Sequence, residues 1–156
     1  MEESKERISI LYVDDEEHNL TSFKASFRHK FRIHTAISAK AAREVLEKKP
    51  VEIIITDQRM PEETGVQFLQ SIIPIYPEPI RMLLTGYSDI EAVIDSINKG
   101  QVFRYITKPW NDQELEININ NAYEVFRLRK ENKELVERLR KANEQLEFYL
   151  RQKLLE

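Results

Sequence analysis

Five short apolar runs, four of them halted by a residue able to do chemistry, constrain this chain more than any other feature. Ile8-Ser9-Ile10-Leu11-Tyr12-Val13 stops at Asp14-Asp15, and Val51-Glu52-Ile53-Ile54-Ile55-Thr56 stops at Asp57. Ile80-Arg81-Met82-Leu83-Leu84 ends at Thr85-Gly86, and Val102-Phe103-Arg104-Tyr105-Ile106 is followed by Lys108-Pro109. Phe31-Arg32-Ile33-His34-Thr35-Ala36 alternates in the manner of a strand. Runs of this length with β-branched residues read as buried strands. Between them apolar residues return at helical spacing. Leu20, Phe23 and Phe27 mark a helix over about 17–30. Ala39, Ala42, Val45 and Leu46 mark one that ends before Pro50. Met60-Pro61 opens a turn, Val66, Phe68, Leu69, Ile72 and Ile73 mark a third helix, and Ile90, Val93, Ile94 and Ile97 mark a fourth closed by Gly100. A last helical pattern starts near Asp112 and runs on. Strand and helix alternating five times predict an α/β, doubly wound, five-stranded parallel sheet covered on both faces.

The last helix carries a second signal. Val125, Asn132, Leu139 and Leu146 are spaced by seven, as are Leu128, Leu135, Ala142 and Tyr149. This is the seam of a coiled coil, with Asn132 as a polar residue that fixes register and favours a parallel dimer. The chain therefore divides into a domain over 7–122 and a helical, coiled-coil extension over 123–156. Charge follows that division: residues 1–122 hold 15 Lys and Arg against 20 Asp and Glu, and residues 123–156 hold 9 against 7. An acidic body is a poor nucleic-acid surface and a good cation site. The small basic excess of the tail does not argue for DNA, and Arg138, Arg140 and Lys141 read as a solvated helix face. With 41% hydrophobic residues the chain can build a core, and no run is long enough to span a membrane. The polar start is not a signal peptide, and the absence of cysteine excludes disulfides and thiolate chemistry. A cytoplasmic location is the default expectation.

In an open parallel sheet, ligands bind beyond the carboxyl ends of the strands. Asp14, Asp15, Asp57, Thr85 and Lys108 all gather at that edge. Three neighbouring carboxylates cannot all remain ionised without a cation. Mg²⁺ suits them, because it keeps several waters and takes only one or two carboxylates plus a phosphate. A carboxylate nucleophile, a divalent cation, an ammonium and a hydroxyl form a set suited to phosphoryl transfer.

With these residues in order, the chain resembles the receiver domain of two-component response regulators. The resemblance rests on Asp14-Asp15, Asp57-Gln58-Arg59-Met60-Pro61, Gly65, Thr85-Gly86 and Lys108-Pro109, and covers about 7–122. It implies a flavodoxin-like fold with strand order 2-1-3-4-5. It implies that Asp57 accepts a phosphoryl group from a sensor histidine kinase or phosphotransfer protein. Asp15 and Asp57 would hold Mg²⁺ with the backbone carbonyl of Arg59, Asp14 acting partly through water. Thr85 and Lys108 would bind the phosphoryl oxygens, Lys108-Pro109 would be a cis peptide, and Tyr105 would be the aromatic that turns inward on phosphorylation. Such a domain is a switch, with no reaction beyond Mg²⁺-dependent self-phosphorylation and autodephosphorylation. Its partners would be the kinase, a second copy through the last helix, and an output module beyond residue 156; no direct nucleic-acid contact and no membrane are expected.

The pattern departs from the family at Thr64, where aspartate is common, and carries Arg59 and Tyr87 at positions that tune phosphoryl lifetime. His18, His29 and His34 share no ligand spacing and read as surface residues. Trp110 reads as packing beside the site. Two other functions compete: a receiver-like dimerisation scaffold without phosphorylation, and a metal-dependent phosphatase with an aspartyl nucleophile. The phosphatase class carries a second acid two residues after its nucleophile, where this chain has Arg59.

Overall fold

A computed structural model of the chain describes residues 7–86, Ile94 and 98–156. The strands are β1 (Ser9–Val13), β2 (Arg32–Ala36), β3 (Ile53–Asp57), β4 (Ile80–Gly86) and β5 (Arg104–Lys108). All neighbours pair in parallel, in the order β2-β1-β3-β4-β5 that the resemblance implies. The described helices are α1 (Glu17–Phe27), α2 (Ala39–Lys48), α3 (Gly65–Ile72) and α4 (Asp112–Leu154). The helix read from Ile90, Val93, Ile94 and Ile97 lies outside the described residues except for Ile94, and Tyr87 lies outside them too.

The two-residue period of the strands sorts the core into two layers. Ile10 and Tyr12 of β1 with Ile53 and Ile55 of β3 face α1 and α4, where they meet Leu20, Phe23, Phe27, Leu115 and Ile119. Leu11, Val13 and Ile54 face the other way onto Ala42, Leu46, Phe68, Leu69 and Ile72 of α2 and α3. β1 and β3 are buried along their whole length. Each large aliphatic side chain removed from water there contributes about 1.5–3 kcal/mol.

Helix starts follow the local sequence. Ser38 accepts from the Ala41 N–H, and Asn111 accepts from the N–H groups of Gln113 and Glu114. Thr64 and Gln67 form a reciprocal capping box, so the threonine that departs from the family pattern takes over the capping task itself.

Several predicted boundaries move. β5 begins at Arg104, not at Val102, and Lys108 is its last residue, because pairing with β4 continues through Thr85↔Thr107 and Gly86↔Lys108. Asp57 likewise pairs within β3, opposite Leu84. α1 ends at Phe27, and His34 is half-buried in edge strand β2, whereas His18 and His29 are exposed as expected. Arg81 is buried inside β4. Its guanidinium donates to the carbonyls of Gly100, Gln101, Pro77 and Pro79, tying together the loops at the end of the sheet away from the acidic residues.

α4 packs on the sheet through Leu115, Ile119 and Ala122, with Tyr123, Val125 and Phe126 against the same layer. Lys133 still reaches Glu78 at 3.7 Å. The helix then runs clear for about 30 Å at 1.5 Å per residue. Among the described residues, no helix is long and apolar enough to cross a membrane.

Candidate phosphoacceptor site

The carboxyl ends of β1, β3, β4 and β5 converge because neighbouring parallel strands run in step. Ile10↔Ile53, Ile53↔Ile80 and Met82↔Arg104 set the register. It brings together Asp14 and Asp15 after β1, Asp57 at the end of β3, Thr85 in β4 and Lys108 at the end of β5.

Asp14, Asp15 and Asp57 each present an oxygen within 4.8 Å of the others, the spacing and donor type for a hard divalent cation. Asp14 is fully buried and Asp57 nearly so, at 0% and 6% exposure. Lys108 Nζ lies 2.7 Å from Asp57 Oδ1 and 3.4 Å from Asp14 Oδ2. Burial pushes the Asp57 carboxyl up, the Lys108 contact pulls it down, and Asp14 and Asp15 add repulsion; the outcome is a raised pKa. Burial works against the Lys108 ammonium, but its bonds to Asp57 and the negative field of Asp14 outweigh this and hold it protonated. Three neighbouring acids and one ammonium leave an excess of negative charge that a cation would neutralise.

Asp14 differs from the other two acids. Its Oδ2 accepts from Tyr12 Oη at 2.8 Å, Asn19 Nδ2 at 3.1 Å and Lys108, and its Oδ1 accepts from the Glu16 N–H at 3.0 Å. That leaves little lone-pair capacity for direct metal ligation. By that measure Asp14 is the least open of the three carboxylates to a direct metal bond. Tyr12 and Asn19 were not singled out in the sequence. The only trace was their spacing: Tyr12 stands two residues before Asp14 on the same strand face, and Asn19 five after it on α1.

The loop after β3 is pinned at several points. Gly65 N–H donates to the Gln58 carbonyl, and Val66 N–H to Gln58 Oε1, both at 3.0 Å. A Cβ on Gly65 would stand 2.3 Å from the Asp57 carbonyl oxygen, so only glycine lets α3 start against the back of Asp57. Glu63 takes a two-pronged contact from Arg43 of α2, at 2.7 and 2.8 Å. Arg59 is exposed on this loop.

Thr85 is buried, its hydroxyl 3.4 Å from the Gly86 carbonyl. Lys108-Pro109 is cis. Tyr105, nearly half exposed at 46%, lines an open cleft of about 810 Å³ between β5 and α4, which Trp110 also lines. Trp110 sits edge-on to Tyr12 and Phe23, each 6.2 Å away, and so packs beside the site.

Comparison with known proteins agrees with this geometry. The family model for the response regulator receiver domain matches residues 10–120. The hydrogenase transcriptional regulatory protein HoxA of Bradyrhizobium diazoefficiens is 37% identical over 123 residues, covering 79% of this chain and 25% of that protein. A putative NtrX-like response regulator of Rickettsia felis is 31% identical over 132 residues, 83% of this chain and 28% of that protein. The chain thus spans about a quarter of the length of these relatives. Among solved structures, the signal receiver domain of an HD domain-containing protein from Pseudomonas fluorescens Pf-5 superposes with a TM-score of 0.76 at 31% identity, covering 84% of this chain and 97% of that one. A response regulator receiver domain protein from Clostridium thermocellum gives 0.72 at 32% identity, covering 78% and 98%.

Proposed function

The chain belongs to the response-regulator receiver family, and from that premise we infer that it is the phosphoacceptor switch of a two-component system, with Asp57 as the acceptor. An Asp57 oxygen attacks the phosphorus of a phosphohistidine on a sensor histidine kinase or phosphotransfer protein; the P–N bond breaks and the histidine leaves. The observation that carries this reading is Lys108 Nζ at 2.7 Å from Asp57 Oδ1 inside a three-carboxylate cluster. Mg²⁺, when bound, offsets the charge gathering on the phosphoryl oxygens. Asp15, Asp57 and the Arg59 carbonyl would hold it, with Asp14 acting through water. Lys108 and the Thr85 hydroxyl take the phosphoryl oxygens.

Tyr105 relays the event: it lines an open cleft in this structure and follows Thr85 inward when the hydroxyl moves to the phosphoryl group. The domain extends over 7–122. The helix over 123–156 pairs with a second copy, and an output module lies beyond residue 156, in keeping with relatives of which the matched region makes up only 25%. The protein turns over no external substrate, touches no nucleic acid through this chain and works in the cytoplasm. The phosphatase alternative is disfavoured by Arg59, which stands where that class needs an acid, and the scaffold alternative by the complete charged set around Asp57.

Incubation of the full chain with Mg²⁺ and a small phosphodonor, followed by intact mass measurement, tests the reading. One phosphoryl mass is expected on the wild type and none on Asp57→Ala. No added mass, or equal addition to both, overturns it.

A further inference from the structure

Lys108 stands between two buried carboxylates and is bound unequally, 2.7 Å from Asp57 Oδ1 against 3.4 Å from Asp14 Oδ2. Burial alone does not explain the preference, since Asp14 is the more deeply buried of the two. Attraction between charges grows as water is excluded, so a bare Asp14 would be at least as strong a trap for the ammonium.

Asp14 is not bare. Three donors other than Lys108 spread its charge: Tyr12 Oη and Asn19 Nδ2 on Oδ2, and the Glu16 N–H on Oδ1. The two on Oδ2 share the oxygen on which Lys108 makes its longer contact, and so weaken its pull on the ammonium. Tyr12 is built to hold its position. Its ring stacks on Phe23 with centroids 4.2 Å apart and planes 14° from parallel, and Trp110 closes on it edge-to-face. On β1 it stands two residues before Asp14 and so on the same face of the sheet, which brings the phenol to the carboxylate.

We propose that Tyr12, supported by Asn19, is a positioning residue that satisfies Asp14 with neutral donors and thereby commits Lys108 to Asp57. The inference rests on the reading that Asp57 takes the phosphoryl group, because its benefit is an ammonium already seated at the reacting oxygen. A lysine captured by Asp14 would stand one carboxylate away from the chemistry.

Tyr12→Phe keeps the ring and removes only the hydroxyl. In a crystal structure of that variant, Lys108 Nζ is expected to move onto Asp14 Oδ2 and away from Asp57. By calorimetry on the full chain, beryllofluoride with Mg²⁺ is expected to bind about three- to tenfold more weakly, the size of a charged hydrogen bond lost and partly replaced. Mg²⁺ alone is expected to bind as well as before or more tightly, since Asp14 loses a donor and gains capacity. Asn19→Ala, at the edge of the site, gives the same direction with a smaller effect and carries the test if Tyr12→Phe fails to fold. Lys108 remaining on Asp57 in the variants, unchanged beryllofluoride affinity, or a parallel fall in Mg²⁺ affinity overturns the proposal; the last would make Tyr12 a simple brace for a metal ligand. If the wild type itself takes no beryllofluoride, the phosphoacceptor reading fails, and the crystal structures still decide whether Tyr12 directs Lys108.

Discussion

Asp57 is disfavoured as an anion by its own surroundings. Burial is the largest cause of its raised pKa, and the Lys108 contact does not fully offset it. The sign of the effect on stability follows from linkage. Starting from the ordinary value of 3.8, the unfolded chain ionises first as pH rises, while the folded chain still holds the proton. Stability therefore falls through the interval between the two pKa values, and a constant penalty remains above it. Asp57→Asn keeps an acceptor for Lys108 and removes that charge. At pH 7 and without metal, we expect it to melt about 3–6 °C higher than the wild type, corresponding to roughly 1 kcal/mol. The gap should narrow as pH is lowered through the raised pKa, because the folded wild type then takes up the proton as well. Mg²⁺ should raise the wild-type melting temperature by binding the native state alone, and should have little effect on the variant. Thermal melts of both proteins across pH and Mg²⁺ measure all of this, and a variant less stable than the wild type at pH 7 would contradict the account. Asp57, Lys108 and their neighbours were legible in the sequence because each ends an apolar run. Tyr12 and Asn19 were not, because a hydrogen bond across two residues of strand or from a helix leaves no periodic mark.

At the scale of elements, the junction of β3 with α3 has the least room for change. Gly65 begins α3 directly behind Asp57, where a Cβ would meet the Asp57 carbonyl oxygen at 2.3 Å and its carbon at 3.1 Å. Both are backbone atoms at the end of a buried strand, so neither can swing away as a side chain would. The Leu83 Cδ1 at 3.0 Å closes the remaining side. Gly65→Ala must therefore shift the start of α3 or the end of β3. Overpacking of this kind typically costs about 1–3 kcal/mol, and we place this one at the upper end because backbone has to yield. Urea denaturation checks the stability cost, and loss of phosphoryl uptake by intact mass checks the displacement of Asp57. The element sequence was readable for a simple reason: β1 and β3 are buried on both faces and appear as unbroken apolar runs. The ends were less readable. β5 was placed two residues early because Val102 and Phe103 are apolar yet precede the pairing with β4. Arg81 is a charge inside a buried strand, tolerated because loop carbonyls accept its hydrogen bonds, and those of Gly100 and Gln101 lie too far along the chain for a local pattern to announce them.

For the whole molecule, the long helix sets the question of assembly. Leu128, Leu135, Leu139, Leu146 and Tyr149 all stand at least 48% exposed along the part of α4 that has left the domain. A contiguous apolar stripe of this kind marks an interface. The outer faces are already satisfied within the helix: Arg127 pairs with Glu124 and Glu131, and Arg140 with Glu137 and Glu144. Val125, the first seam residue, packs partly against the domain core, so the seam becomes fully free only from Leu128 onward. Two arrangements of a second copy are open to such a seam, and charge and polarity separate them. In parallel register, Asn132 meets Asn132 of the other copy, and Glu124 flanks Arg129 of its partner. In an antiparallel pair centred on the seam, Asn132 would face an apolar position and Arg138 would face its own copy. The parallel dimer is therefore the expected assembly, with the two acidic sites at the same end. The chain contains no cysteine, so a single introduced thiol reports on orientation cleanly. Leu146→Cys, far from the domain, should cross-link to itself under mild oxidation in a parallel pair, because two thiols at one seam level lie within disulfide reach. In an antiparallel pair the two thiols would sit at opposite ends of the seam and remain reduced. Leu139→Asp should leave a folded monomer by light scattering, since it puts two like charges into the seam without touching the domain. Asn132→Leu should bind more tightly but lose uniqueness, giving higher oligomers alongside the dimer. A wild-type chain that is monomeric at about 100 μM, where even a weak association of roughly −5 to −6 kcal/mol would show, would remove the basis for all three expectations.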